Sequence, residues 1–389
     1  MQPLEGIKVL DLSRLLPGPL ASLVLADLGA GVDKVEDTAG GDYLRVMPPH
    51  CGSPATGTSS IFLALNRNKR SAVIDLKKAT GKQALLRLVR SYDVLLEQFR
   101  PGVLDRLGLS HQALLAENPK LVVCALTGYG QTGPLAQRAG HDLNYLARAG
   151  VLGFQGPDDA PPTVPGFQLA DVSGGLYAVI GIMGALMERA RSGKGQIVDV
   201  AMIETAMPFA IAGFGLLFGK QTPARGAEAL TGGIAPYQTY ATKDHQAMSL
   251  AALEPKFWMA FSQGVGHEVS MSDLVPGPHQ EPLKAKLRAV FAQKTREEWV
   301  QFARDRDCCL EPVLTAEEAR TDEHLAARKM FFEMASAWGP IQQMRTPLTP
   351  VDRAHTPPPA QGEHTDAILR EGGLSPDDIA AMRTEGAIR

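Results

Sequence analysis

The sequence contains few cysteines and no strong excess of either charge, and both absences limit the function class. Its 389 residues include four cysteines, at positions 51, 124, 308 and 309. None lies in a CxxC pair or near a spaced pair of histidines, so neither a disulfide framework nor a metal site is predicted. Lysine and arginine total 39 against 42 aspartate and glutamate residues, a net charge of -3. We therefore expect no nucleic-acid partner, and an anionic ligand requires a local group of cations.

Long hydrophobic runs are also missing. The longest uncharged runs, 172–187 and 205–219, contain several glycines. Both fall below the about 20 apolar residues of a membrane span. The N-terminus carries Glu5 and alternates like a strand, which is not typical of a secretory signal. We expect a soluble, cytoplasmic protein with no membrane partner.

The first third of the chain alternates short apolar strands with helical patterns. Residues 7–13, 17–28 and 31–36 form a strand, a helix and a second strand, which is the pattern of a βαβ unit. The pattern recurs over 71–98, and strands near 121–127 and 196–202 extend it. The sequence therefore predicts an α/β fold with a parallel, Rossmann-like sheet, which binds ligands beyond the carboxyl ends of its strands.

The pattern changes after residue 205, where glycine and alanine become frequent. A hairpin is predicted over 237–253, followed by two helices. A helix near 376–383 is expected to pack back on the first domain. The predicted organisation is a large α/β domain at 1–205 and 330–389, a crossing linker at 206–221 and a smaller α+β domain at 222–325.

Three glycines follow the strand near 121–127. Gly128, Gly130 and Gly133 match the spacing of a dinucleotide fingerprint. No acid follows about 20 residues later, as that fingerprint requires. We interpret these glycines as residues that let the backbone approach a ligand closely.

Three residues are candidates for acid–base chemistry, and each also has an ordinary structural interpretation. His141 begins a helical pattern, so backbone N–H groups beside it suit a developing enolate, although single histidines are commonly structural. Asp171 precedes a glycine pair and an apolar helix, which is also the position of an N-cap. Glu254 ends a hairpin strand, where a surface acid is common.

Cations concentrate early in the chain, at strand ends where phosphates are held in other proteins. A solvated rim is the alternative interpretation of the same pattern. The cations are Arg67, Lys69, Arg70, Arg100 and Arg106.

Taken together, the motifs resemble the family III CoA-transferase superfamily. The resemblance rests on LEGIKVLDLSRLLPGPLASLVLADLGAGV, LNRNKRSAVIDLK, FRPGVLDRLGLS, LTGYGQTGP, ADVSGG, SGKGQIVDVAM, CLEPVL and GEHTDAIL. It implies acyl-CoA thioesters as substrates, with CoA as part of the substrate and no metal or redox cofactor. It also implies a homodimer of two interlocked rings.

Two chemistries occur within this superfamily. GHDLNYLARAGVL resembles the α-methylacyl-CoA racemases, which assigns proton transfer to His141 and Asp171 and orientation of the imidazole to Glu254. In family III CoA-transferases the aspartate of ADxxxG is a nucleophile, a role that would also fall to Asp171. The resemblance favours a 2-methylacyl-CoA racemase that acts through an enolate, and the transferase is the alternative.

The resemblance also implies where CoA binds. The backbone N–H of Asp142 is expected to hold the thioester oxygen. At Asp37 the sequence departs from the racemases, which carry there an arginine that contacts the nucleotide end of CoA. The implied CoA contacts are Arg67, Lys69, Arg70, Arg100, Arg106, Gly140, Asp142 and Tyr145.

Overall fold

A computed structural model describes residues 2–53 and 57–389. The chain forms two compact units, and each is built from separate segments. The first unit consists of Met1–Ala149, Gly166–Ala206 and Glu323–Arg389. The second consists of Gly150–Pro165 and Met207–Asp322.

The strands and helices are numbered in chain order. The strands are β1 Lys8–Asp11, β2 Gly31–Glu36, β3 His50–Cys51, β4 Thr58–Ser59, β5 Lys69–Val73, β6 Val94–Glu97, β7 Val122–Thr127, β8 Gln196–Ala201, β9 Tyr237–Ala241, β10 Ala247–Ala251, β11 Leu310–Pro312, β12 Phe331–Ser336 and β13 Gly339–Met344. The helices are α1 Pro17–Asp27, α2 Ser60–Leu65, α3 Ala79–Val89, α4 Val103–Arg106, α5 His111–Glu117, α6 Asp142–Arg148, α7 Leu169–Ser192, α8 Met202–Ala206, α9 Ile211–Phe218, α10 Pro255–Val265, α11 Gln280–Phe291, α12 Arg296–Arg304, α13 Ala316–Thr321, α14 Glu323–Ala327, α15 Thr365–Glu371 and α16 Pro376–Thr384.

The first unit is built on a parallel sheet of six strands in the order β5-β2-β1-β6-β7-β8. Leu10 pairs with Leu95, which pairs with Val123. Central strands of this kind are almost wholly apolar because both faces are covered. The strand order reverses between β1 and β6, and such a reversal opens a crevice at the carboxyl ends of the strands. The predicted α/β class and parallel sheet are confirmed.

Helices from both ends of the chain cover one face of this sheet. Leu85 of α3 and Leu114 of α5 are buried in the same cluster as Ile368 of α15 and Ile379 of α16. The prediction that the terminal helix packs on the first domain is confirmed. At about 25 cal/mol per Å² of apolar surface, such burial is the main stabilising contribution.

Helix α7 packs against α1, and its first turn carries Asp171, one of the candidate site residues. A Cβ atom on Gly175 would lie 2.6 Å from the carbonyl oxygen of Pro17, so only glycine allows this approach. By length and composition alone, α7 is long and apolar enough to cross a membrane, with 44% of the qualifying window buried. The uncharged run 172–187 lies within α7, which extends it at both ends with segments that contain charged residues. A core helix of a soluble protein has the same properties.

The second unit has a small antiparallel sheet in the order β11-β10-β9. The predicted hairpin is confirmed, with β9 and β10 paired from Tyr237 to Ala251. Its core is aromatic, and the rings of Tyr240 and Phe291 stack at 4.6 Å. Trp258 and Trp299 are fully buried in the same cluster.

Two segments group with the second unit in a way that the sequence analysis did not anticipate. Residues 150–165 are held there because the guanidinium of Arg225 donates to the carbonyl oxygens of Asp158 and Ala160. The ring of Phe154 also contacts that of Phe214 at 5.9 Å. Most of the predicted linker at 206–221 belongs to this unit as well, and it contains α9.

Candidate active site

A cleft of about 390 Å³ lies in the first unit, where the loops after β6 and β7 meet the start of α6. This is the carboxyl edge of the sheet, where the sequence analysis placed the ligand. Its lining includes Phe99, Arg100, Tyr129, Arg138, His141 and Tyr145.

His141 immediately precedes α6 and is exposed. Its backbone N–H donates to Oδ1 of Asn144 at 3.0 Å, which fixes the point at which the helix begins. Asp142, the first residue of the helix, places a carboxylate at the positive end of the helix dipole. The helix therefore begins where the sequence analysis expected, with the imidazole at its start.

Asp142 links α6 to the first turn of α7. Its Oδ1 atom accepts hydrogen bonds from the backbone N–H groups of Ala170 at 2.7 Å and Asp171 at 3.0 Å. Burial, and next the charge of Asp142, raise the pKa of Asp171 to about 6, against the opposing effect of His141. The structure thus brings His141, Asp142 and Asp171 together, although Asp171 follows His141 by 30 residues in sequence.

Glu254 lies in the second unit and precedes α10. Its carbonyl oxygen accepts from the backbone N–H groups of Phe257 and Trp258, as is usual for an N-cap position. Its side chain is exposed, and its charge is the second cause, after burial, of the raised pKa of Cys309. That Glu254 orients His141 stays a prediction.

Two of the cations predicted to hold CoA are buried, which contradicts their assignment to an exposed phosphate site. The Arg67 guanidinium is fully buried and donates to Asp27 at 2.5 Å. The Lys69 ammonium donates to the carbonyl oxygen of Pro19 and to Asn66, each at 2.9 Å, and burial lowers its pKa to about 7. If either cation left its partners to bind CoA, buried charges would remain uncompensated.

Arg70 is also committed within the protein. Its guanidinium donates to Asp33 at 2.6 and 2.8 Å and to Glu371 at 2.7 and 2.8 Å. Two carboxylates thus occupy four of its five N–H groups. These partners lie 37 and 301 residues away along the chain, so no local sequence pattern reveals them.

Two arginines of the cleft remain available for a ligand. Arg100, which the sequence predicts to contact CoA, lines the cleft. Arg138 also lines it and was missed, although it lies only three residues before His141. Within residues 2–53 and 57–389, neither forms an ion pair. Arg106 is exposed at the end of α4.

Asp37, where the sequence departs from the racemase pattern, is paired within the protein. Its Oδ2 accepts from the guanidinium of Arg14 at 2.6 Å. Its Oδ1 accepts from the backbone N–H groups of Ala39 and Gly41. Arg14 thus supplies a guanidinium at this position, over the ring of Tyr43. Across the described part of the chain, no group of three or more His, Cys, Asp or Glu side chains could hold a metal ion.

A parallel sheet with a crevice at its strand reversal, a histidine close to a carboxylate of raised pKa and, among the described residues, two arginines without an ion pair form a candidate site for an anionic ligand. The model of CoA-transferase family III matches residues 4–365, and the chain belongs to this family. It is therefore an enzyme of the family III CoA-transferase and racemase type.

Among its relatives, alpha-methylacyl-CoA racemase from Mus musculus is 38% identical, over 98% of this chain and 96% of that protein. An acyl-CoA transferase from Fusarium pseudograminearum is 35% identical, over 99% of this chain and 88% of that protein. The crystal structure of a CAIB/BAIF family protein from Brucella suis superposes with a TM-score of 0.82 and 32% identity, covering 95% of this chain and 99% of that one. Relatives of both chemistries are thus similar along nearly their whole length.

Proposed function

We propose that the protein is a 2-methylacyl-CoA racemase that exchanges the α-proton of a CoA thioester through an enolate. The observation that carries this proposal is the grouping of His141, Asp142 and Asp171. Racemisation needs one base on each face of the α-carbon. A carboxylate whose pKa is raised to about 6, such as that of Asp171, still accepts a proton at neutral pH, and the imidazole of His141 supplies the second group.

The proposed reaction is a two-step proton transfer. The carboxylate of Asp171 or the imidazole of His141 takes the α-proton, and the electron pair moves onto the thioester oxygen as an enolate. The other residue, in its protonated form, returns a proton to the opposite face. The backbone N–H of Asp142 is the proposed donor to the enolate oxygen, and Glu254 is proposed to orient the imidazole.

The remaining parts of the proposal concern the ligand and the assembly. Arg100, Arg106 and Arg138 are proposed to hold the CoA phosphates, and the chemistry requires no metal or redox cofactor. The protein is proposed to act as a cytoplasmic homodimer. In support, Ile180 and Met187 of α7 are 62% and 72% exposed, and exposed apolar faces are typical of interfaces.

The alternative is a CoA-transferase with Asp171 as nucleophile, and the transferase relative favours it. Its carboxylate would attack the thioester carbonyl, release the CoA thiolate and form a mixed anhydride. This chemistry needs a carboxylic acid acceptor, whereas racemisation needs only the thioester. The presence of His141 beside Asp171 favours the racemase.

The experiment that separates them is α-proton exchange in D2O. The purified protein is incubated with a 2-methylacyl-CoA and no free carboxylic acid, and the Cα–H signal is followed by NMR. We expect deuterium at Cα, with inversion and without release of CoA. Loss of the thioester without α-proton exchange would contradict the racemase. A second incubation adds a labelled carboxylic acid, and CoA exchange with that acid in the absence of α-proton exchange would support the transferase.

The pH dependence of this exchange tests the assignment of Asp171 as a base. Only its carboxylate form accepts a proton, so kcat/KM should rise as the pH increases through about 6. Asp142→Asn removes the second cause of the raised pKa and should move this limb to lower pH. If the rise in kcat/KM stays at the same pH in Asp142→Asn, it reports the ionisation of a group other than Asp171.

A further inference from the structure

Tyr145 is 6% exposed, and its ring fills the space between two loops. A Cβ atom on Gly128 would lie 2.5 Å from Cε1 of Tyr145, and one on Gly140 would lie 2.8 Å from the same atom. Real Cβ atoms do not approach a neighbour this closely, so a side chain at either position would displace the tyrosine ring. The first glycine of the fingerprint-like motif is thus explained by the tyrosine ring and not by a nucleotide.

The hydroxyl of Tyr145 and the amide of Asn144 hold one peptide group from its two ends. The Tyr145 hydroxyl donates to the carbonyl oxygen of Gly140 at 2.5 Å. Oδ1 of Asn144 accepts from the N–H of His141 at 3.0 Å. This carbonyl and this N–H belong to the same planar peptide bond. Two hydrogen bonds therefore set the plane from which the His141 side chain projects.

The surroundings of Tyr145 keep its hydroxyl a donor. Its ring meets that of Tyr129 edge-on, with centroids 5.1 Å apart. Burial, and next the charge of Asp171, raise the pKa of Tyr145 to about 12. The hydroxyl is consequently protonated throughout the neutral range, and the carbonyl oxygen of Gly140 is its acceptor within the protein.

We propose that Tyr145 is a positioning residue for His141: its ring and hydroxyl fix the Gly140–His141 peptide group and so aim the imidazole. The inference rests on the proposed function, in which His141 transfers the α-proton. Proton transfer tolerates little displacement, and a shift of about 1 Å costs on the order of 100-fold in rate. This role differs from the CoA contact that the sequence analysis assigned to Tyr145.

Tyr145→Phe keeps the ring and removes only the hydrogen bond. We expect kcat for α-proton exchange to fall about three- to tenfold, the range that corresponds to one hydrogen bond, with KM changed less than about twofold. The pH profile should keep its limbs, because no titrating group is lost. Tyr240→Phe, which removes a hydroxyl that donates to the carbonyl oxygen of Ala235 in the second unit, is the matched control and should match the wild type.

Two kinetic results would overturn the proposal. An increase in KM at constant kcat would make Tyr145 a CoA contact, and unchanged constants would leave its hydroxyl without a role. The ring is tested by Gly128→Ala, which should lower kcat in the wild-type background and much less beside Tyr145→Leu, where the space is open. An equal effect in both backgrounds would exclude the ring as the constraint.

A spectroscopic measurement separates this proposal from the proposed function. In protein labelled with 15N-histidine, the His141 imidazole signals are identified by their loss in His141→Ala. Tyr145→Phe should shift or broaden these signals and leave those of the other histidines in place. Unchanged His141 signals overturn the positioning role. If they change in a protein that exchanges no α-proton, Tyr145 positions His141 but the proposed reaction is wrong.

Discussion

His141→Ala is expected to lower the rate of α-proton exchange by about 1,000-fold, within the range of a general acid–base group. Alanine removes the proton carrier on one face of the α-carbon and leaves the backbone that begins α6 in place. The variant should still bind CoA thioesters, because Arg100 and Arg138 are unchanged. Exchange followed by NMR and CoA binding followed by calorimetry give the two measurements.

Two comparisons make the His141 result specific. His111→Gln removes a histidine that is paired with Glu97 at 3.1 Å, and it should retain normal exchange. Glu254→Gln should slow exchange less than His141→Ala, because it affects only orientation of the imidazole. If His141→Ala kept full activity while Asp171 variants lost it, the racemase assignment would be wrong and the transferase preferred.

Asp171→Asn is expected to abolish exchange, with a loss of about 1,000-fold or more, because an amide neither accepts the α-proton nor attacks a thioester. The change keeps the size of the side chain. Both proposed chemistries require this carboxylate, so activity at the wild-type level would contradict both. Trapping of an acyl group on Asp171 in the wild type would identify the transferase.

The same variant should be more stable than the wild type at neutral pH. The pKa of Asp171 is about 6 in the folded chain against its ordinary value of 3.8, so ionisation makes folding less favourable as the pH rises through this interval. Asparagine removes the charge repelled by Asp142. We expect the midpoint of thermal unfolding at pH 7.5 to rise by about 2 °C. The gain should shrink at pH 4, where the folded wild type is also neutral at this position.

The elements of the fold were predictable because their signals are local. Apolar strands such as β1 and β7 are recognisable from a few neighbouring residues. The start of α6 was expected from the residues around His141. By contrast, the hydrogen bonds from Ala170 and Asp171 to Asp142 span 28 and 29 residues, and no local pattern contains them.

The assignment of Arg67 to CoA conflicts with the structure for a physical reason. Arg67 follows the same pattern as a phosphate-binding arginine, but Asp27 neutralises it from 40 residues away, and Gln343 accepts a further hydrogen bond from 276 residues away. A sequence pattern records which cations are present and not which are already paired. Only the fold distinguishes Arg67 from Arg100, which has no such partner among the residues that the structure describes.

Residues 365–388 complete a core that the strands and helices of residues 8–127 begin, and this has a consequence for biosynthesis. Ile388 pairs with Ile74 beside β5, and the backbone N–H of Asp75 donates to the carbonyl oxygen of Ala387. While the ribosome is still making residues 207–322, one face of the parallel sheet lacks α15 and α16. The nascent first unit therefore exposes apolar surface until α15 and α16 have been made, and exposed surface of this kind favours aggregation and chaperone binding.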